Sequence, residues 1–157
     1  KNYSFFFNNS LINITKLFII LLYLQIIFGA FVSGLDAGKI YQTWPLMGDK
    51  YFPDDVSMIT LSSLLNFDDQ SIVQFFHRNL AYLIFLVFIY IGFIIFRNKY
   101  IDLYKSYKFL SIAIVLQILL GVFTLISNIN TVFASLHQIS SIVLIFFSLN
   151  LYHCSIK

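Results

Sequence analysis

The sequence predicts an all-α protein, a transmembrane four-helix bundle built from two parallel helix-pair repeats. Of its 157 residues, 59% are hydrophobic and only 11% are charged, whereas soluble domains carry about 25% charged residues. Four apolar stretches are each long enough to cross the roughly 30 Å hydrocarbon core of a bilayer. The lipid bilayer is therefore a predicted partner of the chain, and nucleic acid is not.

The predicted spans cover residues 14–34, 72–96, 109–127 and 132–152. A long loop separates the first span from the second, and within it residues 56–65 are predicted to form a short interfacial helix. The connection between the second and third spans is short and basic. The third and fourth spans are joined by a turn of only a few residues, so they are predicted to form a tight antiparallel hairpin.

The charges predict how the bundle is oriented in the membrane. Lysine and arginine residues collect at the ends of the chain and in the connection 97–108, whereas the long loop carries all the aspartates except Asp102. Basic segments remain on the cytoplasmic side of a bacterial membrane, or on the matrix side in a mitochondrion. We therefore expect a multi-pass inner-membrane protein of bacterial or mitochondrial type, with both termini inside and the long loop outside.

A short motif occurs twice in the chain. Residues 24–31 and 116–123 both read LQIxxGxF, with Gln25 and Gly29 in the first copy and Gln117 and Gly121 in the second. Each copy is followed by a span that carries a histidine near its outer end, His77 and His137 respectively. Parallel repeats are related by a pseudo-two-fold axis along the membrane normal, which would place these two histidines at equal depth.

The paired histidines favour a haem site over other metal sites. An ionisable residue inside a span is a functional hypothesis by default, and two imidazoles facing each other in a bundle can hold haem iron at both axial positions. Two histidines alone do not complete a zinc site. The chain contains no glutamate, which excludes a di-iron carboxylate site. His77 and His137 are thus the predicted iron ligands.

The neighbouring residues allow more than one interpretation. Gly29 and Gly121 would let a planar ring or a neighbouring helix approach the backbone. Gln25 and Gln117 could bond across helices or face the cofactor. Arg78 is predicted to pair with the carboxylates of the cofactor or with aspartates of the loop. A single intramembrane histidine could also serve only helix packing, but the repeat makes this interpretation less favourable for two of them.

Several segments resemble the haem A synthase family. They are FGAFVSGLDAG at 28–38, WPLMG at 44–48, QFFHR at 74–78, LQILLG at 116–121 and LHQ at 136–138. The resemblance implies a protein of eight helices in two similar halves, of which this chain is the C-terminal half. It implies that this half holds haem b through His77 and His137. Gly29, Gly121, Gln25, Gln117 and Arg78 would surround that cofactor.

The resemblance also implies a reaction and partners. The N-terminal half would bind haem O and oxidise one of its methyl groups to formyl, which makes haem A for cytochrome oxidase. The enzyme would be an oxidoreductase, but this half would carry no catalytic residue and would not be active alone. Haem O synthase and cytochrome oxidase assembly factors are further implied partners, and homo-oligomer formation stays open.

Two alternatives remain on the sequence alone. The chain could be a stand-alone four-helix b-type cytochrome with bis-histidine ligation that carries electrons in the membrane. It could also be a structural or assembly protein of the membrane that binds no haem.

Overall fold

The computed structural model describes residues 10–55 and 66–157, and four long α-helices account for most of them. The helices are α1 (Ser10–Gly34), α2 (Gln70–Arg97), α3 (Tyr104–Ile126) and α4 (Thr131–Ser155). The described residues form no strand, and the only β-type pairing among them is an isolated bridge between Met47 and Lys50. The predicted all-α class is confirmed. The interfacial helix predicted at 56–65 lies outside the described residues.

Each helix covers nearly all of a predicted span and begins before it, although α3 ends at Ile126, one residue short of the predicted end. The Asp69 side chain accepts hydrogen bonds from the backbone N–H groups of Ser71 and Ile72, so α2 begins at Gln70 rather than at residue 72. The Asn130 side chain caps α4 in the same way by accepting from Val132. Hydropathy does not predict these first helical residues, because they are polar and a helix can continue beyond the apolar residues of a span.

All four helices are long and apolar enough to cross a membrane, which supports a multi-pass membrane protein. Helix α1 packs against α2 and α4, and α3 packs against α4. Helices α2 and α3 have few contacts with each other. We call the end where α1 and α3 finish and α2 and α4 begin the loop end, because the long loop lies there.

The hydrophobic core lies in the half of the bundle away from the loop end. Every buried residue of α1, α3 and α4 belongs to that half. Fully buried examples are Phe18, Ile91, Ile95, Leu110 and Leu151. Close packing at one end holds the bundle together and leaves the loop-end half free to enclose a cavity.

Within this core, Tyr107 of α3 packs tightly against α2. The Tyr107 ring stacks on Phe88 with a centroid separation of 5.0 Å, and its hydroxyl donates to the Phe88 carbonyl at 3.3 Å. Gly92 lies directly beneath the tyrosine. A Cβ atom built on Gly92 would overlap the Tyr107 hydroxyl and lie 2.5 Å from its Cζ atom.

Replacing Gly92 with alanine is therefore expected to lower the free energy of unfolding by about 1–3 kcal/mol, the usual cost of overpacking a tight core. Thermal unfolding in detergent, followed by helical circular dichroism, measures the change. Gly34→Ala is the control, because nothing lies within 4 Å of the Cβ position there. Equal unfolding temperatures for the two variants would contradict the proposed packing.

Candidate functional site

Two adjoining cavities occupy the loop-end half of the bundle. Their volumes are about 470 and 500 Å³, which lies within the range of about 300–1,000 Å³ typical of small-molecule sites. Both are lined mainly by apolar side chains, and both include Gln25, His77, Gln117 and His137. The four polar residues that the repeat singles out therefore surround one space.

The repeat is visible in the hydrogen bonds between each pair of helices. The Gln25 amide on α1 donates from Nε2 to the backbone carbonyl of His77 on α2 at 3.0 Å. The Gln117 amide on α3 donates from Nε2 to the backbone carbonyl of His137 on α4, also at 3.0 Å. Each glutamine thus fastens the histidine-bearing turn of the following helix to its own helix.

The repeated glycines make room for the imidazole rings. Gly29 and Gly121 each lie four residues after the glutamine and so share its helix face. A Cβ atom on Gly29 would lie 3.4 Å from Cε1 of His77, and one on Gly121 would lie 2.8 Å from Cε1 of His137. The close approach that the sequence predicts for these glycines is therefore an approach to histidine.

The His137 ring is held in one orientation. Its Nδ1 atom lies 3.1 Å from the backbone carbonyl oxygen of Gln117 and 3.2 Å from the side-chain amide nitrogen of Gln117. In the tautomer that carries its proton on Nδ1, the ring donates to this carbonyl and Nε2 is unprotonated, and the described part of the chain offers Nε2 no hydrogen bond. The Ser140 hydroxyl donates to the Gln117 side-chain oxygen and so steadies this arrangement. Such a second contact is how proteins orient metal-binding histidines.

The His77 ring is held differently. Its Nε2 atom faces the Gln25 amide nitrogen at 3.3 Å, while its Nδ1 atom is buried without a hydrogen-bond partner among the described residues. The Gln25 side-chain oxygen is also buried and unpartnered there. The first copy has Leu80 where the second has Ser140, so no hydroxyl steadies the glutamine. His77 is therefore less firmly positioned than His137.

Three side chains of α2, spaced four residues apart, fasten the long loop over the cavities. We call Gln70, Gln74 and Arg78 the loop clamp. The Gln70 and Gln74 amides donate to the backbone carbonyls of Leu35 and Tyr41 respectively. The Arg78 guanidinium donates hydrogen bonds to three carbonyl oxygens of the loop, those of Tyr41, Thr43 and Leu46, at 2.7, 2.9 and 3.1 Å.

One prediction about Arg78 is wrong. Its hydrogen bonds within the described residues go to main-chain carbonyls, so Arg78 does not pair with aspartates of the loop as predicted. In the described part of the loop, Lys39 and Lys50 instead form ion pairs with Asp36 and Asp54, each at 2.9 Å.

Tyr41 anchors the remaining part of the loop. Its hydroxyl donates to the Asp55 carboxylate at 2.9 Å and accepts from the Asp54 backbone N–H at 3.0 Å. Burial and the bond to Asp55 raise the pKa of the Tyr41 phenol. The phenol therefore remains protonated and able to donate at physiological pH.

Sequence reasoning missed Gln70, Gln74, Tyr82 and Ser140, which all belong to this region. The first two could have been found from their spacing, because Gln70, Gln74, Arg78 and Tyr82 recur every four residues along one face of α2. Within residues 10–55 and 66–157, no three His, Cys, Asp or Glu side chains come together as a metal site. This part of the chain therefore offers paired imidazoles rather than a compact metal cage.

Known proteins match this chain over most of its length. The family model for the cytochrome oxidase assembly protein COX15-CtaA matches residues 6–149. A protein named heme A synthase from Pelagibacter ubique is 46% identical over 140 residues, which covers 88% of this chain and 41% of that protein. The heme A synthase of Rickettsia felis is 38% identical over 127 residues, covering 81% of this chain and 37% of the relative.

The chain therefore spans about two fifths of the length of these relatives. No solved structure matches it. The family match covers nearly the whole chain and agrees with the motifs that carry the sequence resemblance. The chain belongs to the haem A synthase family of cytochrome oxidase assembly proteins.

Proposed function

We propose that this chain is the haem b-binding half of haem A synthase and that His77 and His137 are the two axial iron ligands. The observation that carries the proposal is the repeated Gln–Gly–His arrangement, in which two equivalent helix pairs direct one imidazole each toward a shared cavity. The oxidation of haem O would then take place in a partner four-helix half.

The residues present fit a haem better than a bare metal ion. Haem takes only two axial nitrogens from a protein, whereas a zinc site needs three or four ligands. The cavity walls are mainly apolar, as a porphyrin face requires. The Nδ1 atom of His77 is buried without a partner among the described residues, and burying an unpaired polar group is costly unless a ligand or rearrangement satisfies it. The ring must turn for Nε2 to bind iron, and that rearrangement would let Nδ1 find a partner.

The chain's own residues would each have a defined part. His137 would offer Nε2 to the iron while its Nδ1 donates to the Gln117 carbonyl. His77 must withdraw its Nε2 from the Gln25 amide before that nitrogen can bind iron. The loop clamp holds the long loop against the start of α2 and limits access of water from that end. When bound, haem b supplies a one-electron redox centre.

The same proposal places the loop end on the outer side of the membrane, because the basic connection 97–108 lies at the opposite end. It also makes this chain the C-terminal half of a longer protein. Translating the gene upstream of Lys1 tests this point. A second set of four apolar helices there supports the synthase, while its absence favours the stand-alone b-type cytochrome.

Haem binding itself is tested by reconstitution. The purified chain in detergent or nanodiscs, titrated with haem b, is expected to bind about one equivalent. The reduced form should show a sharp α band, and the oxidised form a low-spin electron paramagnetic resonance signal. Failure to bind haem, or a high-spin spectrum only, would overturn bis-histidine ligation.

A further inference from the structure

The Arg78 guanidinium carries a positive charge that has no negatively charged partner among the described residues. The chain has no glutamate, and all its aspartates lie within the described residues. The ion pairs found there are Lys39–Asp36 and Lys50–Asp54, whereas Arg78 donates only to neutral carbonyls of the loop. Arg78 is partly buried in α2 and lines the cavity that contains both histidines. A charge held away from water is stabilised by an opposite charge nearby.

The Tyr82 hydroxyl is a donor that lacks an acceptor. Tyr82 lies four residues after Arg78, on the same face of α2, and lines the same cavity. Its hydroxyl oxygen is buried without a hydrogen-bond partner in the described part of the chain, although a buried tyrosine hydroxyl usually has one. One turn before Arg78, Gln74 has an unpartnered side-chain oxygen, but this atom is an acceptor and does not suit an anion.

We propose that Arg78 and Tyr82 form a carboxylate subsite in the wall of this cavity, and that it takes a propionate of the tetrapyrrole ligated by His77 and His137. Tyr82 donates a hydrogen bond to the carboxylate and Arg78 supplies the compensating charge. Arg78 keeps its bonds to the loop, because a guanidinium has more N–H groups than these bonds use. The subsite would select the rotation of the ring about the iron. It rests on the proposed haem function.

The test compares two porphyrins that differ only at the carboxylates. Iron protoporphyrin IX and its dimethyl ester, in which both propionates are esterified, are titrated into the chain in nanodiscs and followed at the Soret band. Tyr82→Phe is expected to weaken binding of the free acid by about tenfold or more, because hydrogen bonds to charged groups are the strong ones. Binding of the ester should be unchanged. Tyr90→Phe, on the same helix but exposed, should alter neither affinity.

The outcomes separate the subsite from the haem function. If Tyr82→Phe weakens both porphyrins equally, or neither, the subsite is overturned while haem binding stands. If neither porphyrin gives a low-spin spectrum with the unaltered chain, the proposed function fails and the subsite with it. Should Tyr82→Phe not fold, the unaltered chain still decides the question, because it should bind the free acid at least tenfold more tightly than the ester. Equal affinities would overturn the subsite.

Discussion

Replacing His137 with alanine is expected to abolish low-spin haem binding and to weaken haem affinity more than any other single substitution in the chain. His137 is the histidine whose Nδ1 lies beside a backbone carbonyl, that of Gln117, so the tautomer protonated at Nδ1 would leave Nε2 for iron. Losing an outer-shell partner of a metal ligand typically costs about 10–100-fold in affinity, so losing the ligand itself should cost at least that.

The matched substitution His77→Ala should have a milder effect on affinity and a clear effect on spin state. His137 remains as one axial ligand, so the haem is retained but becomes five-coordinate and high-spin. Optical spectra, together with binding titrations on the two variants, measure both quantities. His153→Ala is the control, because His153 is exposed at the far end of α4 from the cavity. A low-spin spectrum in either cavity variant would show that the ligands are misassigned.

Gly121→Ala is expected to have a large effect on the site although it removes no ligand. A Cβ atom there would lie 2.8 Å from Cε1 of His137, closer than such atoms approach in proteins, so the ring must move. Moving the ring would disturb its 3.1 Å contact with the Gln117 carbonyl. An overpacking cost of about 1–3 kcal/mol corresponds to a loss of roughly 5- to 150-fold in haem affinity.

Gly29→Ala provides the paired comparison, since Gly29 occupies the same position in the first repeat. Its Cβ atom would lie 3.4 Å from His77, an ordinary van der Waals contact, and we expect little change in haem affinity. The two alanine variants are compared by haem titration at equal protein concentration. Equal losses in both variants would mean that the two histidines are held alike, contrary to the structure.

Much of the fold could be predicted, because a long apolar stretch that crosses a lipid bilayer can adopt few backbone conformations. A span must satisfy its backbone hydrogen bonds internally, so four such stretches indicate four helices. Short connections then make neighbours antiparallel, and the LQIxxGxF motif indicates that the second pair of helices repeats the first. The motif left open whether Gln25 and Gln117 bond across helices or face the cofactor, and in the structure each donates to the backbone carbonyl of a histidine on the following helix.

Other parts of the site could not be predicted because they depend on contacts distant in sequence. Arg78 donates to carbonyls more than thirty residues earlier, and nothing in its local sequence distinguishes a carbonyl partner from an aspartate. The difference between the two histidines depends on Ser140 in one repeat and Leu80 in the other. The structure shows this difference, because the Gln117 side-chain oxygen accepts a hydrogen bond from Ser140 whereas the Gln25 side-chain oxygen has no partner among the described residues.

The sequence by itself determined the class of protein, its four helices, the two-fold repeat and the pair of histidines, because hydropathy and spacing are properties of the chain alone. The tertiary structure decided where the helices pack and where they leave space. The hydrophobic core cluster lies in the half away from the loop end, and the cavity forms around the histidines in the other half. It also decided that the two imidazoles differ, because hydrogen-bond geometry depends on side chains brought together by packing.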